Sequence, residues 1–572
     1  MVLQSIGALP TYDHKLSVLP SELLAGPLEA VLALAEAIVL NDARTLAEHE
    51  IADRTTLETF AQNRLHAAML RGDLAEVRNI GDQLRRLQTR ADRKLTLGLL
   101  EEIATAACAT SAPEVAAERL ASERLAALPY PQVDEWMKWE FARYSAANPD
   151  LLRGRIRNDV DRIAVQNGGQ VDQEIAGSIL AARAALDCTY RVASAFASVL
   201  QAIITQNTSV GGEDIWAARD IVLDISRPAS PVGVAVWDSG VDLSLFPATS
   251  DPGLAIDGEG RAVPHLLREA GDYAPSLPDL LDLLKGVMDL RAGQVTKEAH
   301  AYQQRVGSLK VEDVKAFSEA MSFIANYVHG THVAGIAAAG NPFARIQAVS
   351  MHFPVAQDEL RLDREISERR AAFYGEAVAR MKAAGVRVAN MSWRMGPTLF
   401  EAMLAAQGGI KDAQDRRRLA AELFTLEKAA LLAAIASAPE ILFVAGVGNE
   451  GNDAGFADYI PAGLRAPNLI TVGAVDKSGR EAAFTSVGGV VALYANGVEV
   501  SSDVPGGQKR EFSGTSMASP QVANAAAKLM AVHPRLSGAD VRRLLLETAD
   551  LQGRVLLLNP KAALARADLA PG

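Results

Sequence analysis

The chain has 572 residues, enough for roughly two to four domains with sizeable cores. Hydrophobic residues make up 49% and charged residues 22%, an ordinary globular balance, and the net charge of −12 argues against nucleic acid or an anionic membrane as the main partner. Cys108 and Cys188, the two cysteines, exclude a disulfide framework or a zinc site and are expected as buried free thiols; no stretch is long and apolar enough to span a bilayer.

Residues 1–215 read as almost wholly α-helical. Val77, Ile80, Leu84 and Leu87 follow an a/d spacing, the mark of a helix with a narrow packing seam. Similar patterns run through Leu28 to Leu40, Leu57 to Leu70, Leu95 to Cys108 and Ile179 to Ile204. Breaks are expected at Gly72-Asp73, Pro113, Pro129-Tyr130-Pro131, Asn148-Pro149 and Asn167-Gly168-Gly169. No repeat of fixed period stands out, so the expectation is an accessory domain built as a helical bundle or irregular solenoid.

The character changes after residue 215. Val232 to Trp237 is a short unbroken apolar run, as in a parallel strand covered on both faces, and Asp238 follows at its carboxyl end. Helical patterns then fill Leu277–Leu290, Lys297–Leu309 and Val311–Tyr327. His329-Gly330-Thr331-His332-Val333-Ala334-Gly335 opens a further helical pattern, with Val333, Ile336 and Ala337 on one face. Ile441 to Gly446 reads as a buried strand running into Val447-Gly448-Asn449-Glu450-Gly451. Gly514-Thr515-Ser516-Met517-Ala518-Ser519-Pro520 precedes a helix from Met517 to Val532, with Pro520 placed in its first turn. A serine hydroxyl is a weak nucleophile without a base in reach. His329 is the candidate base and Asp238 the candidate carboxylate that orients it, in the chain order Asp, His, Ser.

At these residues the sequence resembles the subtilisin-like serine proteases, the subtilases, over roughly 216–572. The resemblance implies an α/β fold, a doubly wound, mostly parallel sheet with helices on both faces, preceded here by the all-α region. It implies a serine endopeptidase with Asp238, His329 and Ser516 as catalytic triad and Asn449 as oxyanion donor, needing no cofactor. Val388 to Trp393 looks like the family strand whose edge pairs with the extended substrate. Ser392, Trp393 and Arg394 are therefore expected to bind substrate. The family usually has glycine where Arg394 stands, beside the first specificity pocket; a guanidinium there would favour acidic side chains, narrow the groove, or point to solvent. Leu469 to Asp476, Phe484 to Gly488 and Gly553 to Pro560 extend the likeness, the last as the closing segment of the fold. His332 is read as a structural histidine.

Two departures matter. Many subtilases carry a calcium loop after the histidine helix, but here Ala339 to Arg345 runs straight into the strand Ile346–Met351, so no metal site is carried over. Helical insertions near 265–325 and 395–425 are assigned to the catalytic domain, as decorations or as a lid. The implied partner is a peptide or protein substrate. The helical region is expected to take a protein partner or to inhibit in cis, and residues 1–215 look unlike the small α/β pro-domain typical of the family. No secretory pattern is visible in residues 1–40: Asp13 precedes Lys15, and Glu29 and Glu36 interrupt the apolar run. The compartment is cytoplasmic if the chain is complete, exported or periplasmic if a signal was removed. Two other readings use the same residues: a peptide ligase or cyclase on this scaffold, and a helical scaffold protein with a vestigial protease domain.

Overall fold

The computed structural model describes residues 2–207, 213–356, 359–410 and 412–569. They form two compact units. One comprises Met1–Gly211, Asp279–Glu319 and Ala405–Arg416; the other comprises Gly212–Pro278, Ala320–Leu404 and Arg417–Gly572.

The first unit is helical because its apolar residues repeat at helical spacing and its breaks are strong. Asp53 caps the helix Arg54–Arg71 by accepting from Thr56 N, and Gly72 ends it with a left-handed φ of 68°. Asp73 then caps Leu74–Leu87, whose Val77, Ile80 and Leu84 are fully buried. Pro113 opens one helix, Pro129 precedes another, and Asn148 caps a third. Three departures from the sequence reading occur; in the first, Gly98 (φ 77°) splits the pattern expected from Leu95 to Cys108 into Ala91–Thr96 and Leu99–Cys108. Two short strand pairs, Val2–Leu3 with Glu50–Ile51 and Asp13–Lys15 with Gln170–Asp172, interrupt the helical pattern. The segment expected as one pattern from Ile179 to Ile204 is split, because Cys188 leaves helical backbone (φ −124°, ψ −77°) between Gln173–Asp187 and Ala193–Gln206.

The first insertion packs differently from the expectation. Leu290 and Ala299, both fully buried, share one hydrophobic core with Phe141, Phe196 and Leu200. Residues 279–319 thus belong to the helical unit rather than to the catalytic one. Most of the second insertion does the opposite. Phe400, Met403, Leu423, Phe424 and Leu431 join the core that contains Trp237 and Phe443, so these helices cover the sheet and do not decorate it.

The second unit is built on a ten-stranded sheet. Its strands, with an intervening hairpin, are β1 Val232–Asp238, β2 Ala248–Ile256, β3 Ala262–Val263, β4 Ala344–Met351, β5 Val386–Met391, β6 Leu442–Gly446, β7 Leu469–Val475, β8 Val491–Asn496, β9 Val500–Asp503, β10 Lys509–Phe512, β11 Asp550–Gln552 and β12 Val555–Leu557. The order is β11-β12-β8-β7-β6-β5-β1-β4-β2-β3, with β9 and β10 forming the separate hairpin. All pairs between β8 and β2 across the middle of the sheet are parallel, and only the margins are antiparallel. Every residue of β1, β6 and β7 is buried, which explains their unbroken apolar runs. Two helices matter most for the site: α1, Val314–Ala338, and α2, Thr515–Val532, which lies across β1 and β5 to β8. Asp238 ends the central strand, where chain direction across the sheet reverses and open α/β sheets place their ligands. No helix among the described residues is long and apolar enough to cross a membrane.

Replacing Leu290 by Ala leaves a cavity in a fully buried position of the helical unit. The expected cost is about 2–5 kcal/mol, read as earlier thermal unfolding and new protease cuts within residues 28–206. Unchanged unfolding would mean that the inserted helix contributes nothing to that core.

Candidate active site

Asp238 is 1% exposed at the end of β1, so its charge needs partners. Its Oδ1 accepts from the backbone N–H of Ser239 at 2.7 Å; the Ser239 hydroxyl, 3.1 Å from the same oxygen, reaches the Asn326 carbonyl at 2.6 Å. His329 Nδ1 lies 2.7 Å from the same oxygen. Because a carboxylate only accepts, the proton sits on Nδ1, and Nε2 is left as the free basic nitrogen. Burial pulls the imidazole down from its ordinary value of 6.5, but the Asp238 charge and hydrogen bond outweigh it, and the net shift is upward. The His329 side chain is 30% exposed against 2% for Asp238, so the pair runs from the interior towards solvent.

Two features of the sequence seat His329. It does not open its helix, as the pattern suggested; it stands inside the 25-residue α1, which continues unbroken from Val314. The next residue must be glycine, since a Cβ on Gly330 would overlap the carbonyl of Gly240, in the turn that follows β1. His332, one turn on, is buried. Its Nε2 lies 2.9 Å from the Arg510 carbonyl and its ring stacks on Phe512 at 4.4 Å. Burial holds its pKa down at about 4, so it is neutral and pins α1 to the hairpin that leads into α2.

Ser516 is the second residue of α2 and half-buried. The structure forms no hydrogen bond between its hydroxyl and His329, a spacing common in free enzymes. Pro520 falls in the second turn of α2, not the first, so its missing N–H leaves the Ser516 carbonyl without a helical donor. Ser392 answers this from below: its hydroxyl donates to Ser516 O at 3.4 Å and meets the Ser519 hydroxyl at 3.1 Å. Farther along α2, the Asn524 amide donates to the carbonyls of Ala337 at 2.9 Å and Ala339 at 2.8 Å, capping the end of α1. The helices that carry His329 and Ser516 are thereby fixed to one another.

Asn449 follows β6 and is exposed. Its amide oxygen accepts from Thr515 N at 2.8 Å and from the Thr515 hydroxyl at 3.0 Å. That settles which end of the amide faces Thr515, and leaves the NH2 group available beside Ser516. Gly446 allows the approach, since a Cβ there would lie 3.2 Å from Thr515 O. The anchoring role of Thr515 escaped the sequence reading, although the residue stands in the quoted motif.

The three residues expected to bind substrate behave differently. Ser392 is 9% and Trp393 6% exposed; the indole packs among Trp237 and Tyr374 at 5.8 and 6.2 Å. Their side chains are therefore unavailable, and the main chain of residues 392–394 is what they offer. The Arg394 side chain is 40% exposed, but it neither reaches freely into solvent nor stands as an unpaired cation. It pairs with Glu450 and lies 4.8 Å over the Tyr459 ring. Glu450 also accepts from Asn449 N at 3.0 Å, and Asn452 donates to the Tyr459 hydroxyl at 2.9 Å. Sequence reasoning did not single out Glu450 or Tyr459, which lie far from Arg394 in the chain. Among the described residues no group of three or more His, Cys, Asp or Glu is placed to hold a metal ion.

The family model of the subtilases, Peptidase S8, matches residues 230–565, and the chain belongs to that family. Subtilisin DY of Bacillus licheniformis is 32% identical over 224 residues, 39% of this chain and 70% of that protein. Subtilisin NAT of Bacillus subtilis subsp. natto is 39% identical over 128 residues, 22% of this chain and 33% of that protein. The match thus spans about a third of the length of subtilisin NAT. A solved cold-adapted subtilisin-like serine proteinase is 19% identical with a TM-score of 0.33, covering 60% of this chain and 93% of that one.

Protonated His329 stabilises the fold below about pH 6.5, its ordinary value, and this contribution is lost as pH rises through the raised value. Following the imidazole by NMR should give a midpoint above 6.5 in the native chain and a lower one in Asp238→Asn. Equal midpoints would mean that Asp238 does not govern His329.

Proposed function

We propose that this chain is a serine endopeptidase that works through an acyl-enzyme. Family membership supports a hydrolase of this type, and the observation that carries the residue assignment is the 2.7 Å bond from His329 to the buried Asp238. Ser516 attacks the scissile carbonyl while His329 Nε2 takes its proton. The imidazolium formed is stabilised by Asp238, which stays ionised. His329 then delivers the proton to the departing amine, and water repeats the sequence to free the acid. The developing oxyanion is held by Asn449 Nδ2 and the backbone N–H of Ser516, the second aimed from a helix N-terminus. A donor of this kind is worth about 3–4 kcal/mol in subtilisin, where the value is established. Because the base must be neutral, activity rises with pH through the raised His329 value, opposite in direction to its stability contribution.

Substrate enters as an extended strand along residues 392–394, and main-chain bonds supply affinity there. Glu450 follows Asn449 directly, so the Arg394–Glu450 pair stands beside the residue whose carbonyl is attacked. Backed by Tyr459, it puts a bulky side chain where the family usually has glycine and presents little net charge. A small uncharged side chain before the scissile bond fits this arrangement.

Ser516→Ala should abolish both peptide cleavage and fluorophosphonate labelling, with unchanged circular dichroism. Mass mapping of the label to another serine, or cleavage by the folded mutant, would refute the assignment. Product masses with an added amine distinguish hydrolysis from ligation.

A peptide series varied at the residue before the scissile bond tests the pocket. The native chain should favour Gly, Ala or Ser. Arg394→Gly should raise kcat/KM for Leu and Phe by about tenfold or more, since one to three kcal/mol is typical of such pocket contacts. Glu450→Gln should shift preference towards Asp and Glu by unpairing Arg394. Native preference for bulky or acidic residues would contradict the closed pocket while leaving the chemistry untouched.

A further inference from the structure

The chain has two cysteines, and its fold brings them together although 80 positions separate them. Cys108 is the last residue of the helix Leu99–Cys108, and Cys188 follows the helix Gln173–Asp187 at the break in its backbone. The Cys108 thiol donates to the Cys188 carbonyl at 3.6 Å, which sets its sulfur against the Cys188 backbone. They differ in access: Cys188 is 7% exposed, while Cys108 is half-buried and not fully enclosed as the sequence suggested. Both are free thiols.

We propose that Cys108 and Cys188 form a redox-responsive modification site, in which a small-molecule disulfide enters at Cys108 and is resolved by Cys188 into an intramolecular disulfide. The contact between the Cys108 sulfur and the Cys188 main chain and the difference in exposure carry this inference. The electrostatics agree with the order of attack. The Cys188 thiol, by donating to Cys108, brings the Cys108 thiol down to about 7 against the opposing effect of burial, and Arg191 adds to the lowering. The same bond and burial push Cys188 up, so Cys108 is the more readily deprotonated of the two.

The exchange balances without a further reactant. The Cys108 thiolate attacks one sulfur of glutathione disulfide, forming a mixed disulfide and expelling one glutathione thiolate, which takes a proton from solvent. Cys188 then loses its proton and attacks the Cys108 sulfur, expelling the second glutathione as thiolate, which is protonated. The protein is oxidised by two electrons and loses two hydrogens; one glutathione disulfide is reduced to two thiols. The new bond ties the end of Leu99–Cys108 to the turn Thr189–Val192. It closes a loop that includes the helices Pro113–Ala126 and Tyr130–Ser145, so it restrains the unfolded form of the helical unit.

The test uses the full chain, folded, exposed to glutathione disulfide and then alkylated. The expected native result is loss of two hydrogens, protection of both thiols from alkylation, and a non-reduced digest joining the Cys108 and Cys188 peptides. The unfolding midpoint should rise and return on adding dithiothreitol. Cys188→Ser should stop at a stable glutathione adduct on Cys108, and Cys108→Ser should remain unmodified under the same exposure. A persistent adduct on the native chain, or two thiols that still alkylate after exposure, would overturn the proposal. If either variant fails to fold, the mass map of the native chain decides alone.

Discussion

A carboxylate buried to 1% exposure at the end of the central strand is the constraint from which the rest of the site follows. An ion in that position is tolerated only if hydrogen bonds and an opposite charge compensate it. The Ser239 backbone N–H is one donor and His329 supplies a second that can become cationic. The arrangement has one consequence for the imidazole tautomer and another for its basicity, both useful for moving a proton. It also explains why the segment after β1 is Ser-Gly, since Ser239 bonds the carboxylate and Gly240 meets the glycine beside His329.

The second requirement is that two helices from distant parts of the chain keep a fixed register. Three polar contacts do this at different heights. His332 bonds the Arg510 carbonyl on the hairpin, Ser392 reaches the Ser516 carbonyl that Pro520 leaves without a helical donor, and Asn524 caps the end of α1. Each satisfies a main-chain group that regular structure leaves open, so each is at once structural and positional. Thr515 fixes the Asn449 amide, the proposed oxyanion donor, with two hydrogen bonds. Side-chain rotation is thereby settled before any substrate arrives, which is where electrostatic stabilisation gains its strength.

The motifs around Asp238, His329, Asn449 and Ser516 were legible in the sequence because each is a contiguous segment with local requirements. An unbroken apolar run, a glycine at a close approach and a small-residue helix start leave clear traces. Helix breaks at Gly72, Pro113 and Asn148 were legible for the same reason. What escaped was set by contacts between distant segments. The amphipathic pattern of residues 277–309 shows that a helix has an apolar face, but not that Leu290 spends it on Phe141 and Phe196. Ser392 and Trp393 read as part of a strand whose edge meets substrate; that their side chains turn inward beneath α2 was not legible. Likewise Arg394 alone suggests a cation; Glu450 and Tyr459, brought beside it only by folding, change its meaning.

The site thus separates what chemistry fixes from what selection can alter. Asp238, Thr515 and the hydroxyl of Ser392 are buried and enmeshed in hydrogen bonds to main chain, so substituting any of them strands a polar partner in the interior. Arg394 and Glu450 are 40% and 31% exposed, and they pair with one another, with Arg394 also over Tyr459 and Glu450 also accepting from Asn449 N. A surface ion pair of that kind contributes little to stability. Changing Arg394 leaves the buried carboxylate and its histidine untouched, whereas changing Glu450 also removes an acceptor from Asn449 N. On the proposed assignment, Arg394 is thus the position of this group whose side chain can change with the least disturbance to the buried network.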